Sequence, residues 1–199
     1  MYYLRRQIGH RLFKEAPAKD AAIVIAIPDS GLPMAYGYAE ASRLPFEMGL
    51  IRNHYVGRTF IEPSQAIRDF GVRLKLNPVK RVLKDRSVVV VDDSIVRGTT
   101  AAKIIKMLRR AGASKIHFRI GSPPITDPCY FGIDTPEKSS LLASRMTVEE
   151  IRQFVGADTL AFLSLEGLKQ ALGEGSQKSF CYACFTGVYP EETPPEKAT

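Results

Sequence analysis

The sequence has few cysteines, no long apolar run and no cluster of basic residues, and each absence excludes a class of protein. Three cysteines in 199 residues are too few for a disulfide-stabilised scaffold. No apolar run approaches the roughly 18 residues that a membrane span needs, and the N-terminal stretch has no signal-peptide pattern. We therefore expect a cytoplasmic protein without a membrane partner. The scattered lysines and arginines, and the lack of a helix-turn-helix pattern, argue against a nucleic-acid partner.

The composition that is present fits a globular enzyme or binding protein with an anionic ligand. The chain is 45% apolar and 25% charged, which is enough to bury a core. Its 28 basic and 21 acidic residues give a formal net charge of +7. Because the basic residues form no run, this charge favours a small phosphorylated ligand over a polyanion.

Apolar runs alternate with amphipathic segments along most of the chain. Strands are predicted at 21–27, 45–53, 87–93, 115–122 and 159–163, and helices at 3–16, 33–43, 100–112, 147–156 and 164–173. This alternation predicts an α/β fold with a mostly parallel sheet flanked by helices.

The chain is predicted to form one domain over 1–175, followed at 176–199 by a cysteine-containing extension with a disordered tail. Within the domain, residues 54–72 carry glycine, proline and many polar groups, which predicts a long loop. Thr147 and Glu150 have the spacing of a capping box at a helix start.

Two polar loops directly follow predicted buried strands. PDSG (28–31) follows the first strand, and DDSIVRGTT (92–100) follows the central one. Parallel sheets bind ligands at the carboxyl ends of their strands. The Gly-Thr-Thr helix start suits a phosphate, whereas the paired carboxylates suit sugar hydroxyls or a cation. Together they predict a ribose 5-phosphate ligand.

The stretch VVVVDDSIVRGTT resembles the 5-phosphoribosyl-1-pyrophosphate (PRPP) motif of type I phosphoribosyltransferases. Nearly the whole chain is similar to the phosphoribosyltransferase domain of the glutamine PRPP amidotransferase family, through PDSGLPMAYGYAEASRLPFE, GLIRNHYVGRTFIEPSQAIRDFGVRLKLNPV, GSPPITDPCYFGIDTP, GADTLAFLSLEGLKQAL and CYACFTGVYP. The resemblance implies the type I fold with a flexible active-site loop. It also implies a Mg²⁺-dependent reaction of PRPP with ammonia to 5-phosphoribosylamine and pyrophosphate, the first step of purine synthesis.

The resemblance also implies roles for individual residues. Asp92 and Asp93 would contact the ribose diol directly or through Mg²⁺, with Ser30 near the metal. Arg58 would be catalytic, contacting pyrophosphate from a loop (52–65) that closes over PRPP. The substrate-binding residues would be Asp29, Ser30, Arg52, Tyr55, Lys75, Ser94, Ile95, Val96, Arg97, Gly98, Thr99 and Thr100.

The three cysteines match three of the four thiolates that hold a 4Fe–4S cluster in one branch of this family. Cys129, Cys181 and Cys184 would then hold a cluster that is incomplete or completed by a ligand from outside the chain. A zinc site completed by one histidine (His10, His54 or His117) and no metal at all are the alternatives.

The family carries an N-terminal glutaminase domain that begins with a nucleophilic cysteine. This chain begins Met1-Tyr2-Tyr3, and its first cysteine is Cys129, so we expect ammonia, free or from a separate glutaminase, as nitrogen donor. Purine nucleotides are expected as inhibitors, and an exposed apolar face on helix 3–16 predicts a homo-oligomer. Two other functions stay open: a phosphoribosyltransferase with a nucleobase acceptor, and a non-catalytic PRPP-responsive regulator.

Overall fold

The computed structural model describes residues 1–53, 76–173 and 180–191. The helices are α1 (Tyr2–Glu15), α2 (Leu32–Ser42), α3 (Lys80–Leu83), α4 (Thr99–Arg110), α5 (Val148–Val155), α6 (Leu165–Leu172) and α7 (Ala183–Thr186). The strands are β1 (Ile23–Ala26), β2 (Leu50–Arg52), β3 (Leu76–Pro78), β4 (Ser87–Asp92), β5 (Lys115–Ile120) and β6 (Thr159–Phe162). Short 3₁₀ turns occupy Lys138–Ser140 and Leu142–Ser144.

Four parallel strands form the central sheet in the order β1-β4-β5-β6. On β4, Val90 lies opposite Ile25 of β1 and opposite Phe118 of β5. The apolar run 88–91 is fully buried because helices cover both faces of the sheet. The predicted α/β fold with a parallel sheet flanked by helices is confirmed.

The two faces of the sheet belong to two separate cores. Ile25 and Val90 point into the core that α4 and α5 cover, through residues such as Ile104. Val24 and Val89, which lie next to them along each strand, point into the core that α1 and α2 cover. Alternate side chains of a strand face opposite sides, so the continuous valine run of β4 supplies both cores.

Helices α1 and α2 are in backbone contact where they cross. A Cβ atom placed on Gly9 would lie 2.0 Å from the Met34 carbonyl oxygen, and one on Gly37 would lie 2.0 Å from the Arg6 carbonyl oxygen. Real side chains do not tolerate such distances, so each glycine is required for this approach. The position of α1 relative to the first turns of α2 is therefore tightly fixed.

The predicted strand at 45–53 is largely wrong, because only Leu50–Arg52 forms a strand, and it belongs to a separate sheet. It pairs antiparallel with β3. Phe46 makes a single bridge to Val24 at the edge of β1, where the Val24 N–H donates to the Pro45 carbonyl. Gly49 then turns the chain away, through its N–H donated to the Glu47 carbonyl.

The other predicted elements in the described ranges are confirmed to within a few residues. Thr147 and Glu150 form the predicted capping box at the start of α5. None of the helices in the described part of the chain combines the length and apolarity that crossing a bilayer requires. The predicted loop at 54–72 lies outside the described residues.

The C-terminal segment packs against the loop that follows β5. The Cys184 carbonyl accepts hydrogen bonds from the N–H groups of Thr126 and Asp127, at 3.0 and 3.1 Å. The Tyr189 hydroxyl donates to the Pro128 carbonyl at 2.7 Å. The division of the chain near residue 175 stays a prediction.

Candidate functional site

The PDSG loop (28–31) and the DDSIVRG loop (92–98) lie side by side at the carboxyl edge of the sheet. The Ile27 N–H donates to the Val91 carbonyl where β1 and β4 end. A Cβ atom on Gly31 would lie 2.6 Å from that same carbonyl oxygen and 3.4 Å from the Asp92 Cα. Only glycine permits this approach, and it brings the two predicted ligand loops together.

Asp92 and Asp93 place two carboxylates in succession at the end of β4, and both side chains are half-buried. The Asp93 N–H donates to Asp92 Oδ1 at 2.9 Å, and the Ser94 N–H donates to Asp93 Oδ1 at 3.0 Å. Burial raises the pKa of Asp92 well above its ordinary value, and the negative charge of Asp93 raises it further. In the described ranges no basic side chain forms an ion pair with either carboxylate.

This arrangement fits a divalent cation or a sugar diol. Either would supply the positive charge or the hydroxyl donors that two adjacent carboxylates call for. Oxygen ligands suit Mg²⁺, which keeps several waters and takes further ligands from substrate phosphates. Two carboxylates are therefore enough protein ligands for a Mg²⁺ ion that arrives with its substrate.

The DDSIVRG loop presents unpaired backbone N–H groups. Ile95 anchors the loop in the core. No acceptor among the described residues receives a hydrogen bond from the N–H groups of Ile95, Val96, Arg97 or Gly98. Successive free N–H groups form the kind of concave surface that binds anions.

The N-terminus of helix α4 continues this surface, because no side chain caps it. Gly98 is its N-cap residue, with a left-handed φ of 71°, and no side chain accepts from the first turn, which also has no acidic residue. The side chains of Arg97, Thr99 and Thr100 are exposed. The open N–H groups, the helix dipole and two hydroxyl donors thus all favour a bound anion at this point.

Two residues that sequence reasoning did not assign to the site, Leu142 and Phe154, support the DDSIVRG loop. The Leu142 N–H donates to the Val96 carbonyl at 2.8 Å. A Cβ atom on Gly98 would lie 2.5 Å from Leu142 Cδ2 and 3.1 Å from Phe154 Cε1. Leu142 and Phe154 therefore pack on the glycine itself, and no local sequence pattern indicates that contact.

The PDSG loop has a different set of partners. The Asp29 carboxylate forms an ion pair with Arg52 of β2, so two predicted substrate-binding residues contact one another. The Ser30 carbonyl accepts from Arg5 Nη1 of α1 at 3.1 Å. The N–H groups of Asp29 and Ser30 reach no acceptor within the described chain. This loop is therefore a second place with open backbone donors.

The predicted residues Tyr55, Arg58 and Lys75 lie outside the described residues, as does His54. Their roles stay predictions, as does the loop predicted to close over the substrate. Of that loop the structure describes only its first residues, among them Arg52.

The three cysteines do not form an assembled metal site. Cys181 is exposed, and Cys129 and Cys184 are half-buried. Burial, chiefly, together with the nearby Cys129 and Cys181 raises the pKa of the Cys184 thiol to about 11. Within residues 1–53, 76–173 and 180–191, no group of three histidine, cysteine or acidic side chains could hold a metal ion. The predicted iron–sulfur ligand set is not supported.

Two of the three histidines considered for zinc, those in the described part of the chain, are engaged elsewhere. His10 lies 2.7 Å from a Glu40 carboxylate oxygen between α1 and α2. His117 is buried in β5, with Nδ1 2.9 Å from the Thr159 hydroxyl and Nε2 3.1 Å from an Asp20 oxygen. A zinc site that uses His10 or His117 with the cysteines is therefore also unsupported.

Comparison with known proteins identifies the chain's family. The family model of the phosphoribosyl transferase domain matches residues 7–120, a range that contains both loops. The chain belongs to the phosphoribosyltransferase family. The predicted resemblance, including the type I fold, is thereby confirmed.

Two groups of phosphoribosyltransferase relatives are similar over almost the whole chain. Amidophosphoribosyltransferase 1, chloroplastic, from Arabidopsis thaliana is 60% identical over 190 residues, which are 96% of this chain and 33% of the relative. Amidophosphoribosyltransferase from Bacillus subtilis is 54% identical over 191 residues, 94% of this chain and 40% of the relative. The chain thus spans about a third to two fifths of the length of these curated relatives.

A solved structure agrees with this assignment. Glutamine PRPP amidotransferase from B. subtilis, complexed with ADP and GMP, matches with a TM-score of 0.87 and 52% identity. The match covers 98% of this phosphoribosyltransferase chain and 43% of that one. The cytoplasmic location stays a prediction, and the plant relative is named as chloroplastic.

Proposed function

We propose that the chain binds PRPP together with Mg²⁺ and transfers its 5-phosphoribosyl group to ammonia, yielding 5-phosphoribosylamine and pyrophosphate. One observation supports this most strongly. The PDSG loop lies on one side of the Asp92–Asp93 pair, and residues 95–98 of the DDSIVRG loop follow it, so open backbone N–H groups flank the pair at one edge of the sheet. PRPP has the matching order of groups, a phosphate and a pyrophosphate on either side of a ribose diol.

The 5-phosphate is assigned to residues 94–100. Free N–H groups from Ile95 to Gly98 would surround its oxygens, and the N-terminus of α4 would add its dipole. Thr99, Thr100 and Ser94 would donate hydroxyl hydrogen bonds. Arg97 would add positive charge. The loop would orient the ribose by fixing its phosphate end.

The ribose diol is assigned to Asp92 and Asp93, and the pyrophosphate to the PDSG loop. The carboxylates would accept hydrogen bonds from the two hydroxyls or share the Mg²⁺ ion, with Ser30 near it. The N–H groups of Asp29 and Ser30 would donate to pyrophosphate oxygens. Arg52 would reach the same anion from its ion pair with Asp29. Tyr55, Arg58 and Lys75 are proposed as further contacts.

The transfer follows from this placement. The ammonia lone pair forms the new C1–N bond while the C1–oxygen bond to pyrophosphate breaks, and the leaving oxygen takes that electron pair. Positive charge develops on the sugar ring, and one proton leaves the nitrogen for solvent. When bound, Mg²⁺ neutralises negative charge that builds on the leaving group. The open donors of the PDSG loop stabilise the same charge.

Ammonia is proposed as the nitrogen donor because it can attack C1 directly, and Cys184 is not suited to release it from glutamine. Cys184, with a pKa near 11, is a protonated thiol at neutral pH and a poor nucleophile. Ammonia would come from solvent or from a separate glutaminase. Purine nucleotides are proposed as inhibitors, since the B. subtilis relative was solved with ADP and GMP. A homo-oligomer is proposed from the exposed tyrosines of α1.

The proposal is tested by pyrophosphate release from PRPP with Mg²⁺ and ammonium chloride. We expect turnover with ammonium and none with glutamine alone. The rate should rise between about pH 7 and 9, because only the unprotonated amine can attack. Adenine, guanine, hypoxanthine and orotate serve as alternative acceptors. Release no faster than PRPP hydrolysis, or a preference for one of these bases, would contradict the proposal.

Thr99→Val is expected to weaken binding of ribose 5-phosphate by about 1–3 kcal/mol, because it removes a phosphate donor while keeping the shape of the side chain. Thr99→Ser restores the hydroxyl and is the matched control, so its affinity should stay close to that of the parent. Calorimetric titration with ribose 5-phosphate measures both. Equal affinities for the valine and serine variants would remove Thr99 from the phosphate site.

A further inference from the structure

The Ser30 carbonyl in the PDSG loop is held by a side chain from the start of the chain. Arg5 Nη1 donates to it at 3.1 Å. Helix α2 does not use this carbonyl, because its first bond runs from the Ala35 N–H to the Gly31 carbonyl. Without Arg5, the Ser30 carbonyl would have no partner among the described residues.

The backbone of Arg5 is fixed relative to the PDSG loop. Gly9 and Gly37 hold the backbones of α1 and α2 in contact, and α2 begins at Leu32, immediately after the loop. Arg5 lies one turn before Gly9 on α1. Because the two helices cannot slide past each other at this crossing, the reach from Arg5 to Ser30 is set by the fold.

We propose that Arg5 is a positioning residue that fixes the orientation of the PDSG loop for pyrophosphate. The Ser30–Gly31 peptide group is bonded at both ends, by Arg5 at its carbonyl and by the Ile27 carbonyl at its N–H, at 3.1 Å each. That orientation determines where the neighbouring Asp29 and Ser30 N–H groups point. The role in ligand binding rests on the proposed function.

Arg6 provides a matched comparison on the same helix. It pairs with Glu40 of α2 at 2.6 Å, and among the described residues no hydrogen bond or ion pair links it to the PDSG loop. Arg5→Gln and Arg6→Gln both remove one positive charge from the first turns of α1. Only the first removes the hydrogen bond to Ser30, so an effect seen in Arg5→Gln but not in Arg6→Gln reports that bond rather than the lost charge.

The first measurement needs no ligand. Amide hydrogen exchange of Gly31 in the free protein is expected to quicken about tenfold in Arg5→Gln, because its peptide group loses one of two restraints. It should be unchanged in Arg6→Gln and largely recovered in Arg5→Lys. Exchange at Gly31 that is equal in all variants would overturn the positioning role, whether or not the chain binds PRPP.

The second measurement connects the loop to its ligand. Arg5→Gln is expected to weaken binding of inorganic pyrophosphate with Mg²⁺ about tenfold, and to raise the KM for PRPP more than it lowers kcat. Binding of ribose 5-phosphate, which is assigned to the other loop, should not change. If both ligands weaken equally, or if Arg6→Gln has the same effect, the proposal is wrong. A parent chain that binds neither ligand refutes the proposed function instead.

Discussion

Asp92→Asn is expected to weaken PRPP binding strongly and, at the same time, to raise the thermal stability of the chain. Asparagine keeps an oxygen that can accept the Asp93 N–H. It lacks the negative charge that binds a Mg²⁺ ion and that strengthens hydrogen bonds accepted from a ribose diol. We expect affinity for PRPP to fall about 100-fold or more, and the remaining binding to lose its dependence on Mg²⁺.

The stability gain follows from the raised pKa of Asp92. A carboxyl whose pKa is higher in the folded chain binds its proton more tightly there than in the unfolded chain. Its contribution to stability is present below the ordinary value of 3.8 and is lost as the pH rises through the raised folded value. Above pH 3.8 this carboxyl therefore opposes folding, because the folded chain must either hold a proton that the unfolded chain releases or bury the negative charge. Asparagine removes this penalty, which should raise the thermal midpoint by about 2–4 °C for each kcal/mol gained.

Calorimetry with PRPP and thermal unfolding at pH 5 and pH 8 measure both effects. The gain over the parent should be larger at pH 8. Asp85→Asn, an equal charge change at an exposed position outside the site, should alter neither PRPP affinity nor its Mg²⁺ dependence. Asp93→Asn should also lose PRPP binding. If both Asp92→Asn and Asp93→Asn bind PRPP as the parent does, the assignment of the carboxylate pair is wrong.

Gly9→Ala is expected to destabilise the fold by about 3 kcal/mol, although alanine is the better helix former. The added methyl group would lie 2.0 Å from the Met34 carbonyl oxygen, which belongs to the backbone and cannot rotate away. The two helices must separate, and the contacts of buried Leu12 and Tyr38 loosen with them. For a chain of this length the thermal midpoint should fall by roughly 6–12 °C.

Gly167→Ala is the matched control in helix α6. Its methyl group would also meet an atom at 2.0 Å, but that atom is the Glu15 carboxylate, the end of a flexible side chain. The carboxylate can move at the cost of its hydrogen bonds to Ser164. We expect a change within about 1 kcal/mol. Equal thermal midpoints for the two variants would show that the α1–α2 contact is looser than described.

The central strand and its loop were predictable because burial on both faces leaves a continuous apolar run in the sequence. Val88–Val91 form such a run, and the polar residues after it mark the carboxyl edge of the sheet. The capping box of Thr147 and Glu150 was also predictable from the sequence, because its two residues are three positions apart. These features are local, so the sequence displays them directly.

Contacts between distant segments could not be predicted in this way. Arg5 reaches Ser30, and Asp29 pairs with Arg52, only because of how α1, α2 and β2 meet in the fold. The sequence around Arg119 indicates only a strand. In the fold its buried side chain donates hydrogen bonds to the Ala16 carbonyl and to the Thr159 hydroxyl. Such partners depend on tertiary packing, which leaves no periodic signal.

The cysteines are the opposite case, because a spacing raised a metal site as one alternative, and the described residues contain no group of three side chains that could hold a metal ion. The Cys181–Cys184 spacing is typical of metal ligands. Two of the three histidines considered for zinc, His10 and His117, lie in other networks. Spacing along the chain does not by itself bring the remaining ligands of a metal site into place.

The alternation of β1 between two cores has a consequence for the order of folding. Val24 and Ala26 face the core built with α1 and α2, whose residues flank β1 closely in sequence and emerge from the ribosome with it. Ile23 and Ile25 face the core built with β4 and α4, which are made much later. A nascent chain can cover the first face early, but its second face stays exposed until β4 and α4 have been synthesised. During that interval the residues of β1 form an unpaired apolar segment, which is the kind of segment at which aggregation starts.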